Sequence, residues 1–217
     1  MNKWFPYILI GIAVVSGFYL KQYLDLPNSK GQATEDSDNK IINQFDSLLI
    51  YPKKNSIQKF SLTNHEDEIF MNDNLKGKWN LIFSGYTNCP DVCPNTLTQM
   101  TQLYQLMDQE TRNKFQFIFL SVDPERDTPE HIKQYLDYFH KDFIGITGDF
   151  LQIDILIKSL GGIYSINKEE GEYYTVDHSA RIFIVGPKAE RYGILESAAI
   201  KSKNKNQLVK DLSEMAN

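Results

Sequence analysis

The sequence predicts an α/β domain carried behind a single N-terminal transmembrane helix. Three observations lead there. Residues Trp4 to Leu20 form a run without one charge. From Trp79 onward, short apolar runs of strand character alternate with stretches whose apolar residues recur at helical spacing. The alternation closes with two apolar runs flanking Gly186-Pro187, the pattern of an antiparallel hairpin, and then a last helical stretch.

The N-terminal run, taken as a helix, spans roughly 25 Å, the low end for crossing a bilayer. It shows no small-x-small cleavage site, and Phe18-Tyr19-Leu20 before Lys21 reads as an interfacial belt, so an uncleaved anchor is favoured over a cleaved signal peptide. No cysteine follows the run, which argues against lipoprotein processing. Lys3 and Lys21 sit on opposite sides and orient the helix only weakly. A three-residue head and a large C-terminal domain fit export of that domain. With the anchor so near the start and no Arg/Ser-rich transit segment, a bacterial inner membrane is expected, the domain facing the periplasm. A mitochondrial inner membrane is the alternative. Residues 25–44 are polar and aperiodic, a tether between the anchor at residues 1–24 and a domain at residues 45–217.

The full chain of 217 residues is long enough for one sizeable core. Its 28 acidic residues outnumber 23 lysines and arginines, a net charge of −5, which argues against nucleic acid as a partner.

Within the domain, Ser56 to Leu62 alternates and Glu68 to Met71 follows a polar turn, which predicts a hairpin. Trp79 to Ser84 predicts a buried strand, and residues 96–109 a helix. Phe115 to Val122 predicts a second buried strand. Thr128-Pro129-Glu130 is a helix cap with proline at the first helical position, and Ile132, Tyr135, Leu136 and Phe139 continue that helix. Phe143 to Thr147 predicts a third strand, Leu151 to Leu160 a helix ended by Gly161-Gly162, and Asn206 to Met215 the closing helix. Strand–helix alternation followed by an antiparallel hairpin and a helix is the order of a thioredoxin-like domain.

Sites in such sheets gather beyond the carboxyl ends of the parallel strands. Gly85 to Asn95, with Cys89 and Cys93, and the loop Asp123 to Asp127 both leave from such ends. These are the only two cysteines, four apart and each followed by proline. Pro94 suits the first helical position, which places Cys93 at a helix mouth where partial positive charge favours a thiolate. A disulfide closing so small a loop would add little stability, so redox or metal chemistry is favoured over a structural bridge. Of the four histidines, His65 reads as a solvated turn residue, and His131 and His140 as surface residues flanking a helix. His178, just before the antiparallel strand, is aimed by topology at the cysteine loop. A structural histidine at a strand start is the competing reading.

Two thiolates and an imidazole form a soft, low-coordinate set suited to Cu(I), whereas structural zinc would want a fourth ligand. Two enzyme readings stand beside metal binding. A thiol–disulfide oxidoreductase would more often carry Cys-x-x-Cys. By resemblance to the thioredoxin-like fold it would also place a proline where His178-Ser179-Ala180-Arg181 stands. A peroxidase is suggested by the threonine before Cys89, although Cys93 is closer than a resolving cysteine would be. Met71, Met100 and Met107 read as core residues. Asp91 reads as solvated, and Asp123, Arg126 and Asp127 as a charge-bonded loop at the site's rim.

Gly85-Tyr-Thr-Asn-Cys-Pro-Asp-Val-Cys-Pro, Ser121-Val-Asp-Pro-Glu-Arg-Asp-Thr-Pro and Val176-Asp-His-Ser, in this order, resemble the Sco/SenC family. The resemblance covers roughly residues 45–217 and implies a thioredoxin-like, membrane-anchored copper chaperone for cytochrome c oxidase assembly. It implies copper as cargo, Cu(I) and in addition Cu(II), held by Cys89, Cys93 and His178. The implied partner is oxidase subunit II, whose dinuclear copper site would be loaded or have its cysteines reduced, with an upstream copper donor. The turn Asn64 to Asp67 lacks the glycine expected there, and Gly186-Pro187 replaces an Asp-Pro-like turn. Neither touches a ligand.

Overall fold

Trp79–Gly85 forms a strand whose seven residues are all buried, as its unbroken apolar run requires of a strand covered on both faces. In this computed structural model the described residues are 48–167, 175–178, 181–201 and 204–217. All belong to the unit Asp38–Asn217. The expected anchor and tether lie outside the described residues. Among those described, no helix is long and apolar enough to cross a membrane.

The strands, in chain order, are β1 (Leu48–Ser56), β2 (Ser61–Asn64), β3 (Ile69–Met71), β4 (Trp79–Gly85), β5 (Phe115–Ser121), β6 (Ile144–Thr147), β7 (Tyr164–Asn167), β8 (Thr175–His178), β9 (Ile182–Gly186) and β10 (Glu190–Leu195). The helices are α1 (Val92–Leu106), α2 (Gln109–Lys114), α3 (Pro129–Asp137), α4 (Phe150–Leu160), α5 (Ser197–Lys201) and α6 (Lys205–Met215). Eight strands make one mixed sheet in the order β1-β10-β9-β4-β5-β6-β2-β3, and β7 and β8 make a separate ribbon. The centre is β4, parallel to β5 and antiparallel to β9. With β6 parallel to β5, this is the thioredoxin-like arrangement expected from the element order.

Local chemistry sets most boundaries. Thr128 caps α3 by accepting the His131 N–H at 3.2 Å, and Pro129 opens the helix. Asp149 caps α4, which ends at Gly161 in the left-handed region at φ 79°. The α1 boundary differs from expectation. The helix starts at Val92, so Pro94 is its third residue rather than its first. Proline is still accommodated, because the N–H groups of the first turn have no intrahelical acceptor. Cys93 therefore lies inside the first turn.

Two features went unanticipated. The first, β1, pairs with β10 and buries Leu48 and Ile50, but its register shifts between Ile50 and Asn55. Pro52 lies within that shift, at a sheet edge where its missing N–H costs no ladder bond. The second is the β7–β8 ribbon, in which Tyr164 faces His178. His178 accordingly ends one strand, β8, and also stands just before the antiparallel strand β9, as expected. The predicted hairpin forms as β2–β3, with Leu62 opposite Phe70, and residues 57–60 stay outside it. There the Asn72 side chain donates to the carbonyls of Ile57 and Gln58 and accepts the Phe60 N–H.

Candidate metal centre

Cys89 and Cys93 stand beyond the C-terminal end of β4, and His178 arrives on the end of β8. The candidate ligand atoms of these three residues lie within 4.8 Å of one another. The Cys93 Sγ is 3.3 Å from His178 Nε2, and the Cys93 N–H points to Cys89 Sγ at 3.5 Å. Both cysteines are free thiols; Cys93 is fully buried and Cys89 only partly. Two soft sulfurs and one imidazole nitrogen can thus converge on one point, with one sulfur open to an incoming group.

The walls hold these groups in place. The rings of Phe83 and Tyr86 meet the His178 ring edge-on at 5.8 and 6.1 Å. Gly85 presses its backbone against the site. A Cβ there would stand 2.7 Å from Cys93 Sγ and 2.9 Å from Phe119 Cε2, closer than packed atoms tolerate. The expectation of a stabilised Cys93 thiolate is not met. Burial pushes its thiol well above the ordinary range, outweighing the lowering effect of a hydrogen bond with the Tyr86 backbone. A metal must therefore displace the Cys93 proton.

The rim is tighter than expected. Asp123 and Asp127 are fully buried, and the Arg126 guanidinium pairs with Asp123 while lying over the Tyr86 ring at 5.6 Å. Asp127 accepts the Thr87 N–H at 2.9 Å, the Thr87 hydroxyl at 2.5 Å and the Ser121 hydroxyl at 2.5 Å.

Comparison with known proteins gives this arrangement its relatives. The SCO1/SenC family pattern matches residues 50–217. The chain belongs to the SCO1/SenC family. It is similar to a Stutzerimonas stutzeri protein named for copper binding, with 37% identity over 71% of this chain and 76% of that one. It is also similar to the human mitochondrial SCO1 homolog, with 38% identity over 60% of this chain. It spans 44% of that human relative's length. Among solved structures it resembles copper-bound ScoI of Bradyrhizobium japonicum at 33% identity and a TM-score of 0.65, covering 73% of this chain and 98% of that one.

The other titratable candidates fall away from the centre, two of them by routes the sequence did not reveal. His65 is mostly buried, its Nδ1 accepting the Gly145 N–H at 3.1 Å, so it is a structural histidine and not a solvated one. His140 is half-buried, its ring 4.3 Å from that of Tyr104 and its Nδ1 accepting the Asp142 N–H. His131 is exposed as expected. Met100 and Met107 are core residues, whereas Met71 faces outward from β3 at 39% exposure. Gly85 was not singled out as a shaper of the site, and Asp127 was expected in a charge-bonded rim, whereas it is held by Thr87 and Ser121 donors. A partial signal lay in the buried-strand endings at Ser84-Gly85 and Leu120-Ser121, which place both loops side by side.

Proposed function

We propose that this chain is a copper metallochaperone that holds copper through Cys89, Cys93 and His178. It delivers the metal to the dinuclear copper site of cytochrome c oxidase subunit II, or reduces the cysteines of that site. The observation that carries the reading is the convergence of three soft ligand atoms within 4.8 Å around unbridged thiols. Two thiolates and an imidazole suit Cu(I) in a low coordination number, and the fourth ligand that structural zinc prefers is not among the described candidates. Relatives solved with copper bound support the same cargo.

The protein's part in transfer follows from the asymmetry of the pair. Buried Cys93 and the ring of His178, fixed by Phe83 and Tyr86, retain the ion. Partly exposed Cys89 is the ligand that an acceptor thiolate can replace first. In the reducing branch, Cys89 attacks an acceptor disulfide to form a mixed disulfide. Cys93 then displaces the acceptor sulfur, leaving a Cys89–Cys93 disulfide and a reduced acceptor. The anchor at residues 1–24 and tether at residues 25–44 would hold the domain of residues 45–217 beside a membrane-bound acceptor, in a bacterial inner membrane facing the periplasm. An upstream donor would reload it.

Anaerobic Cu(I) titration of the full chain tests this reading. One equivalent should bind the dithiol form and none the disulfide form. Failure of the dithiol form to bind would overturn it.

A further inference from the structure

The buried carboxylate of Asp127 belongs to neither ligand set nor core, yet it takes three donors from two neighbouring strand exits. Thr87 gives both its N–H, at 2.9 Å, and its hydroxyl, at 2.5 Å; Ser121 gives its hydroxyl at 2.5 Å. Thr87 lies two residues before Cys89, whose own N–H turns back to the Tyr86 carbonyl at 3.3 Å. Ser121 is the last residue of β5 and extends the same stitch by accepting the Asp123 N–H at 3.2 Å. One further bond, from the Val122 N–H to the Gly85 carbonyl at 2.9 Å, joins the two strand exits directly. The carboxylate lies at the end of this seam and is wholly out of solvent. Burying it is costly and is offset only by saturation with donors, two of them from Thr87.

Exposure differs along the cysteine loop in a way that singles out this clamp. Cys93 is fixed by helix α1 and by the close approach of Gly85. Cys89 lies before the helix and among exposed neighbours, Asn88 and Pro90. Its placement depends on the turn that Thr87 begins. We propose that Asp127 is the positioning residue of the cysteine loop: through Thr87 it holds Cys89 where its sulfur can share a metal with Cys93 and His178 without closing onto Cys93. The seam sets the geometry of the reduced pair, so it governs both copper affinity and the ease of disulfide formation. The affinity half rests on the copper reading above; the disulfide half does not.

The test uses the full chain with Thr87→Val, which removes the hydroxyl at nearly constant shape, and Thr87→Ser, which keeps it. Asp108→Ala is the control, since it deletes a cap on α2 that accepts the Thr111 N–H and so lowers stability at a separate place. Cu(I) affinity is read by competition with a chromophoric chelator. The Cys89/Cys93 potential is read against glutathione: the two thiols pass two electrons and two protons to oxidised glutathione, giving the protein disulfide and two reduced glutathiones. Thr87→Val should bind Cu(I) about tenfold more weakly. Its disulfide should be about tenfold more favoured, a potential about 30 mV more negative. Thr87→Ser and Asp108→Ala should stay within about twofold of wild type on both readings. Wild-type values for Thr87→Val, or equal shifts in Asp108→Ala, would overturn the proposal. Should the wild-type dithiol bind no Cu(I), the copper reading fails, and the potentials alone still decide the role of Asp127.

Discussion

At the scale of single residues, burial governs the proposed copper site. Cys93 keeps its proton at neutral pH because desolvation disfavours its thiolate. Metal loading must release that proton, so the apparent Cu(I) affinity rises with pH and falls in acid. A titration in weak buffer should record proton release on loading, and an affinity independent of pH would contradict the assignment. The imidazole contributes differently, as a ligand pinned between two aromatic edges. His178→Ala should weaken Cu(I) binding by ~10-fold or more while thermal unfolding stays near wild type. Gly85→Ala acts through space: its added methyl would meet Cys93 Sγ and Phe119. Relief by shifting those groups should cost ~1–3 kcal/mol in denaturant unfolding, with copper binding weakened in parallel.

At the scale of elements, what was legible follows from how local the signal was. Strands β4 and β5 and helices α3 and α4 carry their own evidence, either unbroken apolar runs or a cap, a proline and a terminal glycine. The β1 strand does not, since Pro52 and a shifted register erase its alternation and only pairing with β10, about 140 residues away, creates it. The β7–β8 ribbon is hidden likewise, two four-residue strands that, among the described residues, pair in a ladder only with each other. The same distinction explains the histidines. His178 could be placed from strand order alone, whereas the bond from Gly145 to His65 joins residues 80 apart and left no trace in either neighbourhood. One element-scale prediction tests the cap logic. Thr128→Ala removes the acceptor for the His131 N–H and should lower stability by about 1 kcal/mol in chemical denaturation.

At the scale of the whole molecule, the cysteine loop is placed by the sheet it leaves. The parallel pair β4–β5 runs in register from Trp79 and Phe115 to Gly85 and Ser121, so both exit loops emerge side by side. The ribbon ending in His178 then brings the third group from far along the chain. The sulfur pair was therefore readable as a candidate metal or redox site from its spacing and context, though not the burial that keeps the Cys93 thiol protonated. The seam that holds it, Thr87 to Asp127 across 40 residues, was not, because it exists only once the two strands are paired. Placement in the cell carries its own expectation. Deleting residues 1–24 should move the protein from the membrane to the soluble fraction on carbonate extraction while leaving Cu(I) stoichiometry unchanged. Continued membrane retention of the truncated chain would contradict the anchor.

The proposed copper site is built from two sulfurs and one imidazole. X-ray absorption spectroscopy of the Cu(I)-loaded full chain tests it most directly. The copper should be surrounded by two sulfur scatterers and one nitrogen, with the nitrogen and its imidazole multiple scattering lost in His178→Ala. A shell of sulfur alone in the wild type, or a nitrogen that survives removal of His178, would contradict it.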